Sequence, residues 1–247
     1  MLKNRGLYSL LFIISLLNIL TLSLSQLECW GWQADHFTRH SINEPFTSVH
    51  PTTFQADING DGLPEKILWL TAQSQIALQT IDNRANHPQM LIWQSPATWK
   101  VTQAAFSDLD NDGKIELTLL VWRDYKPWPI DQYIPYGGRI KGFHNSQGKS
   151  CHIILLYWKN GRMRERWAGS AMVNPILSFA SVDFDGDQKE DLLTLEGKYD
   201  IPFYSWSLSL WKWEGFGFTL IKRLNVPFQT FHIIKNSQNK PFILAQR

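Results

Sequence analysis

Three stretches decide the fold: "QADINGDGLPEKILWL" at 55–70, "FSDLDNDGKIELTLLV" at 106–121 and "SVDFDGDQKEDLLTLE" at 181–196. They align without a gap. Counting from Asp57, Asp108 and Asp183, each copy carries Asp at position 1, Asp or Asn at position 3, Asp at position 5, and Glu or Asp at position 9. A run rich in Leu, Ile, Val and Thr follows each time, the composition of a buried strand. Repetition on this scale marks an architecture assembled from copies of one unit, so it governs the reading of the rest of the chain.

A second pattern recurs between these copies. "WGWQADHFT" at 30–38 aligns with "WKWEGFGFT" at 211–219, setting Trp30 over Trp211, Trp32 over Trp213 and Phe37 over Phe218. "LYWKNGRMRERW" from Leu156 fits the same template with Trp158 and Met163, and "MLIWQSPATW" from Met90 fits it loosely with Trp93 in the second Trp slot. Apolar alternation on both sides of a polar turn predicts β-hairpins. The order is then a hairpin, three rounds of strand, acidic loop, strand and hairpin, and a tail with strand-like runs at 230–234 and 241–245. The chain starts on the second half of a unit and finishes on the first half of one. Pairing the two would complete a fourth sheet and remove exposed edges. The expected fold is all-β: a small β-propeller of about four blades of four-stranded antiparallel sheets, the last closed by the N- and C-terminal strands. An incomplete or irregular stack of the same sheets is the alternative.

Carboxylates packed this densely repel one another unless water or a cation intervenes. Side chains at odd positions of a nine-residue loop can converge, with even positions facing outward. Hard oxygen donors at positions 1, 3, 5 and 9, with the carbonyl of position 7, suit Ca²⁺. The expected ligand sets are Asp57, Asn59, Asp61, Leu63 (carbonyl) and Glu65; Asp108, Asp110, Asp112, Lys114 (carbonyl) and Glu116; and Asp183, Asp185, Asp187, Lys189 (carbonyl) and Asp191. Gly62 and Gly113 occupy position 6, where a sharp turn favours positive φ. Gln188 stands there in the third loop, which predicts strain and weaker binding. An EF-hand would need a bidentate Glu at position 12, where Leu68, Leu119 and Thr194 stand instead. "DFDGD" at 183–187 looks like an Asp-x-Asp phosphatase nucleophile, but here the motif recurs as a structural part.

The loops with their following strands resemble the FG-GAP or VCBS-type repeats found in the β-propellers of integrin α-subunits and in many exported bacterial proteins. The resemblance covers most of the chain after residue 28. It implies structural Ca²⁺ between the first two strands of a blade. The chain departs from that pattern at Asn59 and Gln188, in a fourth unit without acidic ligands, and in having fewer blades than an integrin.

The 247 residues are enough for one substantial domain, and 44% apolar content with 12 Trp describes a folded chain rather than a disordered one. The three loops hold 12 of the 22 acidic residues, leaving 10 against 24 Lys and Arg. With the loops neutralised by cations, the remaining surface is basic or simply carries scattered solubilising charge. At the N-terminus, Lys3 and Arg5 precede an apolar run from Leu7 to Leu24. Residues 1–25 are therefore expected to be a signal peptide or an uncleaved membrane anchor, with the domain at 26–247 outside the cytoplasm, whether periplasmic, secreted or on the cell surface. Cys29 and Cys151 allow one disulfide or two buried thiols.

The longest segment outside the repeat, 123–152, places Tyr125, Trp128, Tyr133 and Tyr136 among Pro, Gly and the cations Arg139, Lys141 and Lys149. Such a segment can stack on sugars or seat a peptide, or can tuck its aromatics against the scaffold as an Ω-loop. Tyr199, Phe203 and Tyr204 in the shorter 197–206 segment are expected on the same face. The chain lacks Gly-x-Ser-x-Gly and any phosphate-binding glycine loop. The leading expectation is a non-catalytic exported calcium-binding propeller, a binding module for a glycan or protein partner and not for nucleic acid. The alternative is an extracytoplasmic hydrolase or lyase on polysaccharide, with acids such as Asp124 and Asp131.

Overall fold

Runs such as "ELTLLV" and "DLLTLE" carry apolar side chains on both faces, which requires a sheet covered on both sides. In the computed structural model they are the second strands of two such sheets. The structure describes residues 27–42, 45–49, 54–70, 74–82, 90–126, 142–201 and 204–247; the N-terminal apolar run lies outside them. Among the described residues the fold is all-β, without a helix long and apolar enough to cross a membrane.

The strands in chain order are β1 (Leu27–Gln33), β2 (His36–His40) and β3 (Thr47–Val49), then β4 (Gln55–Ala56), β5 (Glu65–Leu70), β6 (Gln75–Thr80) and β7 (Leu91–Gln94). There follow β8 (Lys100–Ser107), β9 (Glu116–Asp124), β10 (Lys149–Lys159) and β11 (Arg162–Ala168), and then β12 (Ile176–Val182), β13 (Asp191–Gly197), β14 (Ser205–Trp213) and β15 (Phe218–Leu224). β16 (Thr230–Lys235) and β17 (Pro241–Gln246) complete the chain. The first three antiparallel sheets run β4–β7, β8–β11 and β12–β15, each an up-and-down meander. The fourth has the order β2-β1-β17-β16-β3, so β17 pairs with β1 and joins the two ends of the chain. The expected terminal pairing is present. The fourth sheet has five strands rather than four, because the short β3 hydrogen-bonds along β16. The first sheet also departs from the expected layout. Its third and fourth strands are β6 and β7, so Trp93 lies on the outer strand rather than in a hairpin of its own.

The sheets stack in chain order into a propeller-like arrangement, and the period of two along each strand assigns every residue to one seam or the other. Leu117, Leu119 and Val121 of β9 pack with Ile67, Ile76 and Leu78 of the first sheet. Leu120 turns the opposite way and meets Ile176, Phe179 and Leu192 of the third sheet. Leu193 and Leu195 then face Trp32, Ile233 and Ile243 of the fourth. The far face of the fourth sheet carries a smaller cluster of Cys29, Ile234 and Phe242 under Phe46.

Cys29 and Cys151 are both free and buried, in different clusters, so the two-thiol alternative holds. Burial raises both thiols, Cys151 to about 12. Its sulfur accepts the Ile176 amide at 3.3 Å and thereby tacks β10 to the next sheet. His152, also buried on β10, lies between Ser150 Oγ (2.7 Å) and the Gly169 carbonyl (2.9 Å), with Arg123 3.3 Å away. Burial first, then the Arg123 charge, lowers its pKa from 6.5 to about 4. The unfolded chain therefore binds a proton that the folded chain refuses between those values. His152 thus contributes stability above pH 6.5 that is lost as pH falls toward 4. Replacing His152 with Gln is expected to flatten the melting-temperature profile across that window, as scanning calorimetry at stepped pH would show.

Candidate metal centres and a lateral cleft

The three acidic loops join the first and second strands of the first three sheets, and their backbones close in the same way. The amide of position 6 donates to the carboxylate of position 1 in every copy: Gly62 to Asp57 at 2.8 Å, Gly113 to Asp108 at 3.1 Å and Gln188 to Asp183 at 3.0 Å. Position 5 donates to position 3, and position 7 (Leu63, Lys114, Lys189) to position 5, at 2.8–3.2 Å. Successive Asx-type turns of this kind explain why short acids and amides are required at these positions. Positions 4 and 6 both have positive φ: 77°, 56° and 85° at Gly60, Asn111 and Gly186, then 84°, 80° and 68° at Gly62, Gly113 and Gln188. The expected strain thus falls on Gln188. Its side chain costs about 1–2 kcal/mol in this region, partly offset by glycine's larger unfolded-state entropy. Gln188→Gly is therefore expected to raise the melting temperature by about 1–3 °C, readable by calorimetry.

One expectation for the even positions is overturned. Ile58, Leu109 and Phe184 at position 2 do not face outward; they are buried. They plug each loop into the core, and the amides of Ile58 and Phe184 donate to the position 9 carboxylates of Glu65 (3.1 Å) and Asp191 (2.9 Å). Three large apolar residues at one position were a visible signal for this.

The loops differ in what faces the carboxylates. In the first, the Asn59 amide donates to both Asp61 and Glu65 at 3.1 Å, and Thr80 donates to Glu65 at 3.2 Å, so neutral donors bridge the acids. In the second, Asp108, Asp110, Asp112 and Glu116 each offer an oxygen within 4.8 Å of the others. Arg166 pairs with Asp110. Asp108 Oδ1 and Glu116 Oε2 are buried and make no hydrogen bond. Burial, then the neighbouring Asp110, raises the Glu116 pKa to about 9. In the third, Asp183, Asp185 and Asp187 form a similar cluster. Burial raises the Asp191 pKa to about 7. Lys212 reaches into this loop from β14. The donor set and the unpartnered buried oxygens of the second loop fit a hard divalent cation.

Of the aromatics expected to form a ligand face, Tyr125 is half-buried with its ring 4.9 Å from His144. Trp128, Tyr133, Tyr136 and Arg139 lie outside the described residues, as does Phe203. Tyr199 is not on an open face. Its hydroxyl accepts the Cys151 amide at 3.1 Å and donates to the Met172 carbonyl at 2.8 Å, pinning the 169–175 connector. Asp124 forms an exposed ion pair with Lys149 at 2.6 Å.

A cleft of about 460 Å³ that the sequence did not disclose opens beside that connector. Trp167 of β11 and Trp211 and Phe218 of the third sheet line it, with Asn174, Glu196 and Arg223 as polar groups. Glu196 is buried, paired with Arg223 at 2.8 Å, and accepts from Asn174 (3.0 Å) and the Trp211 indole (3.2 Å). Phe216, 93% exposed at the tip of the β14–β15 hairpin, forms the lip. These residues come from separate strands, so no linear motif announces them.

No family model, curated protein or solved structure matches the chain.

Proposed function

We propose that this chain is an exported, calcium-stabilised β-propeller of the FG-GAP or VCBS type, with about four blades, acting as a non-catalytic binding module for a glycan or protein partner. The observation that carries the metal reading is the second loop. There Asp108, Asp110, Asp112 and Glu116 converge, with two buried carboxylate oxygens that no donor satisfies. Calcium held there would supply the positive charge that lets four carboxylates share one site. The β1–β17 pairing supports a ring closed by its own ends, and Lys3 and Arg5 before the apolar run support export.

For the binding role, the cleft combines aromatic side chains with a fixed polar floor. Glu196 and Arg223 neutralise each other, which favours an uncharged ligand with one apolar face and several hydroxyls. A neutral saccharide has that chemistry. Screening the calcium-loaded protein against arrayed neutral glycans, followed by calorimetric titration, tests this. Phe216→Ala is expected to weaken capture about tenfold. Because Phe216 is 93% exposed, the melting temperature should stay put. Unchanged affinity in that variant would remove the cleft from the binding face.

A further inference from the structure

Each acidic loop meets a different side chain across its own sheet. Glu65, at position 9 of the first loop, lies opposite Thr80. In the second sheet the last pair is Leu117 with Leu156, so the next residue, Tyr157, falls beside Glu116. In the third, Leu192 pairs with Trp211, which puts Lys212 beside Asp191. One strand position therefore sets Thr80, Tyr157 or Lys212 opposite position 9, and Thr80 and Lys212 reach the loop acids from it.

The ammonium goes where an ion would go. Lys212 Nζ lies 2.6 Å from Asp185 Oδ2, 2.6 Å from Asp187 Oδ2 and 3.8 Å from Asp191 Oδ1, which are positions 3, 5 and 9. Its side chain is only 21% exposed. An ammonium carries three donors and one positive charge; here it bonds Asp185 and Asp187 and sets its charge near Asp191, whose buried Oδ1 has no hydrogen-bond partner. Because it is tethered, its effective concentration is in the millimolar range or above, and free calcium must displace it to bind. The second loop has no such competitor at this position. Tyr157 is uncharged, and Arg166 reaches Asp110 while leaving Asp108 Oδ1 and Glu116 Oε2 without partners.

We infer that Lys212 is the resident cation of the third loop and excludes calcium from it, so that the residue opposite position 9 determines which loops take metal. This rests on the calcium reading of the second loop. The test is calorimetric titration of calcium into chelator-treated wild-type protein and Lys212→Met, which keeps most of the aliphatic stem. The variant is expected to bind one calcium per chain more than the wild type, and Lys212→Met/Asp187→Asn to lose that extra site. Equal stoichiometry in wild type and Lys212→Met overturns the inference. Absence of calcium binding in both proteins removes the metal reading itself, a separate failure. A second measurement needs only the wild type: reductive methylation followed by peptide mass spectrometry. Lys212 is expected to stay protected with and without calcium. Calcium-dependent methylation of Lys212 would show the metal taking the loop and overturn the inference.

Discussion

Calcium at about 100-fold above its dissociation constant is expected to stabilise the fold by about 2.7 kcal/mol per responsive loop, raising the melting temperature by about 5–10 °C. The source of the effect is the second loop, where Asp108, Asp110 and Asp112 crowd Glu116 and Arg166 faces Asp110 alone. Without metal, the folded chain keeps Glu116 protonated up to about pH 9, against an ordinary 4.5. The folded state then holds a proton that the unfolded chain releases. Stability in chelator should therefore fall as pH rises from 4.5 toward 9. Calcium bound as proposed would take the ionised carboxylate, so the gap between calcium and chelator curves should widen toward the alkaline end. Glu116→Gln separates the two contributions. In chelator at pH 8 the amide needs no ionisation, and the variant should melt above the wild type. In calcium the order should reverse. Scanning calorimetry of both proteins in both buffers gives four curves, and a wild type indifferent to chelation would sink the metal reading.

Ending the chain at Lys240 is expected to abolish cooperative folding. That truncation removes β17, which pairs with β1 on one side and β16 on the other. It also removes the buried Phe242, Ile243 and Ala245, and with them part of the core shared by the third and fourth sheets. A fully buried Ile or Phe contributes about 1.5–3 kcal/mol, and the two strand ladders go with them, against a total stability of about 5–15 kcal/mol. Arg247 is lost too, leaving the buried Glu28 with Arg39 at 3.4 Å in place of its 2.8 Å partner. The truncated chain should show no thermal transition by circular dichroism, and a synthetic 241–247 peptide added during refolding should restore one. Ile243→Ala is the milder probe, expected to cost about 2–5 kcal/mol while leaving the pairing intact. A cooperative transition in the truncated chain would mean that the ends do not hold the fold together.

The sequence disclosed most where the information is local. Nine-residue loops closed by Asx turns need their acids at fixed offsets, so the three aligned registers reappear as three matching hydrogen-bond patterns. The half-units at either end were likewise visible, because β16 and β17 carry the same apolar alternation as the other first and second strands. What escaped was set by neighbours distant in the chain. "QIALQT" lacks the aromatic signature of the other third strands, so β6 went unread and Trp93 took its place. β3 is three residues long and owes its existence to the edge of β16. Thr80, Arg166 and Lys212 reach their loops from other strands of the same sheet, and no spacing rule links Lys212 to Asp185. The Glu196 cleft is assembled from β11, β13, β14, β15 and a connector, and Tyr199 was drawn inward by an amide on β10.

The second and third loops are also stitched to each other. Glu190 accepts the Asp108 amide at 2.8 Å and gives its own amide to Asn111 Oδ1 at 2.7 Å, while Asn111 donates back to the Glu190 carbonyl at 3.3 Å. The stitch begins at the first ligand position of one loop and ends one residue before the last of the other. Ordering the second loop therefore tightens the third through a shared backbone clasp, whether or not an ion sits there. If the second loop takes calcium as proposed, deuterium uptake at the Asp108 and Glu190 amides should slow in unison on its addition, as two teeth of one zipper rather than as separate events.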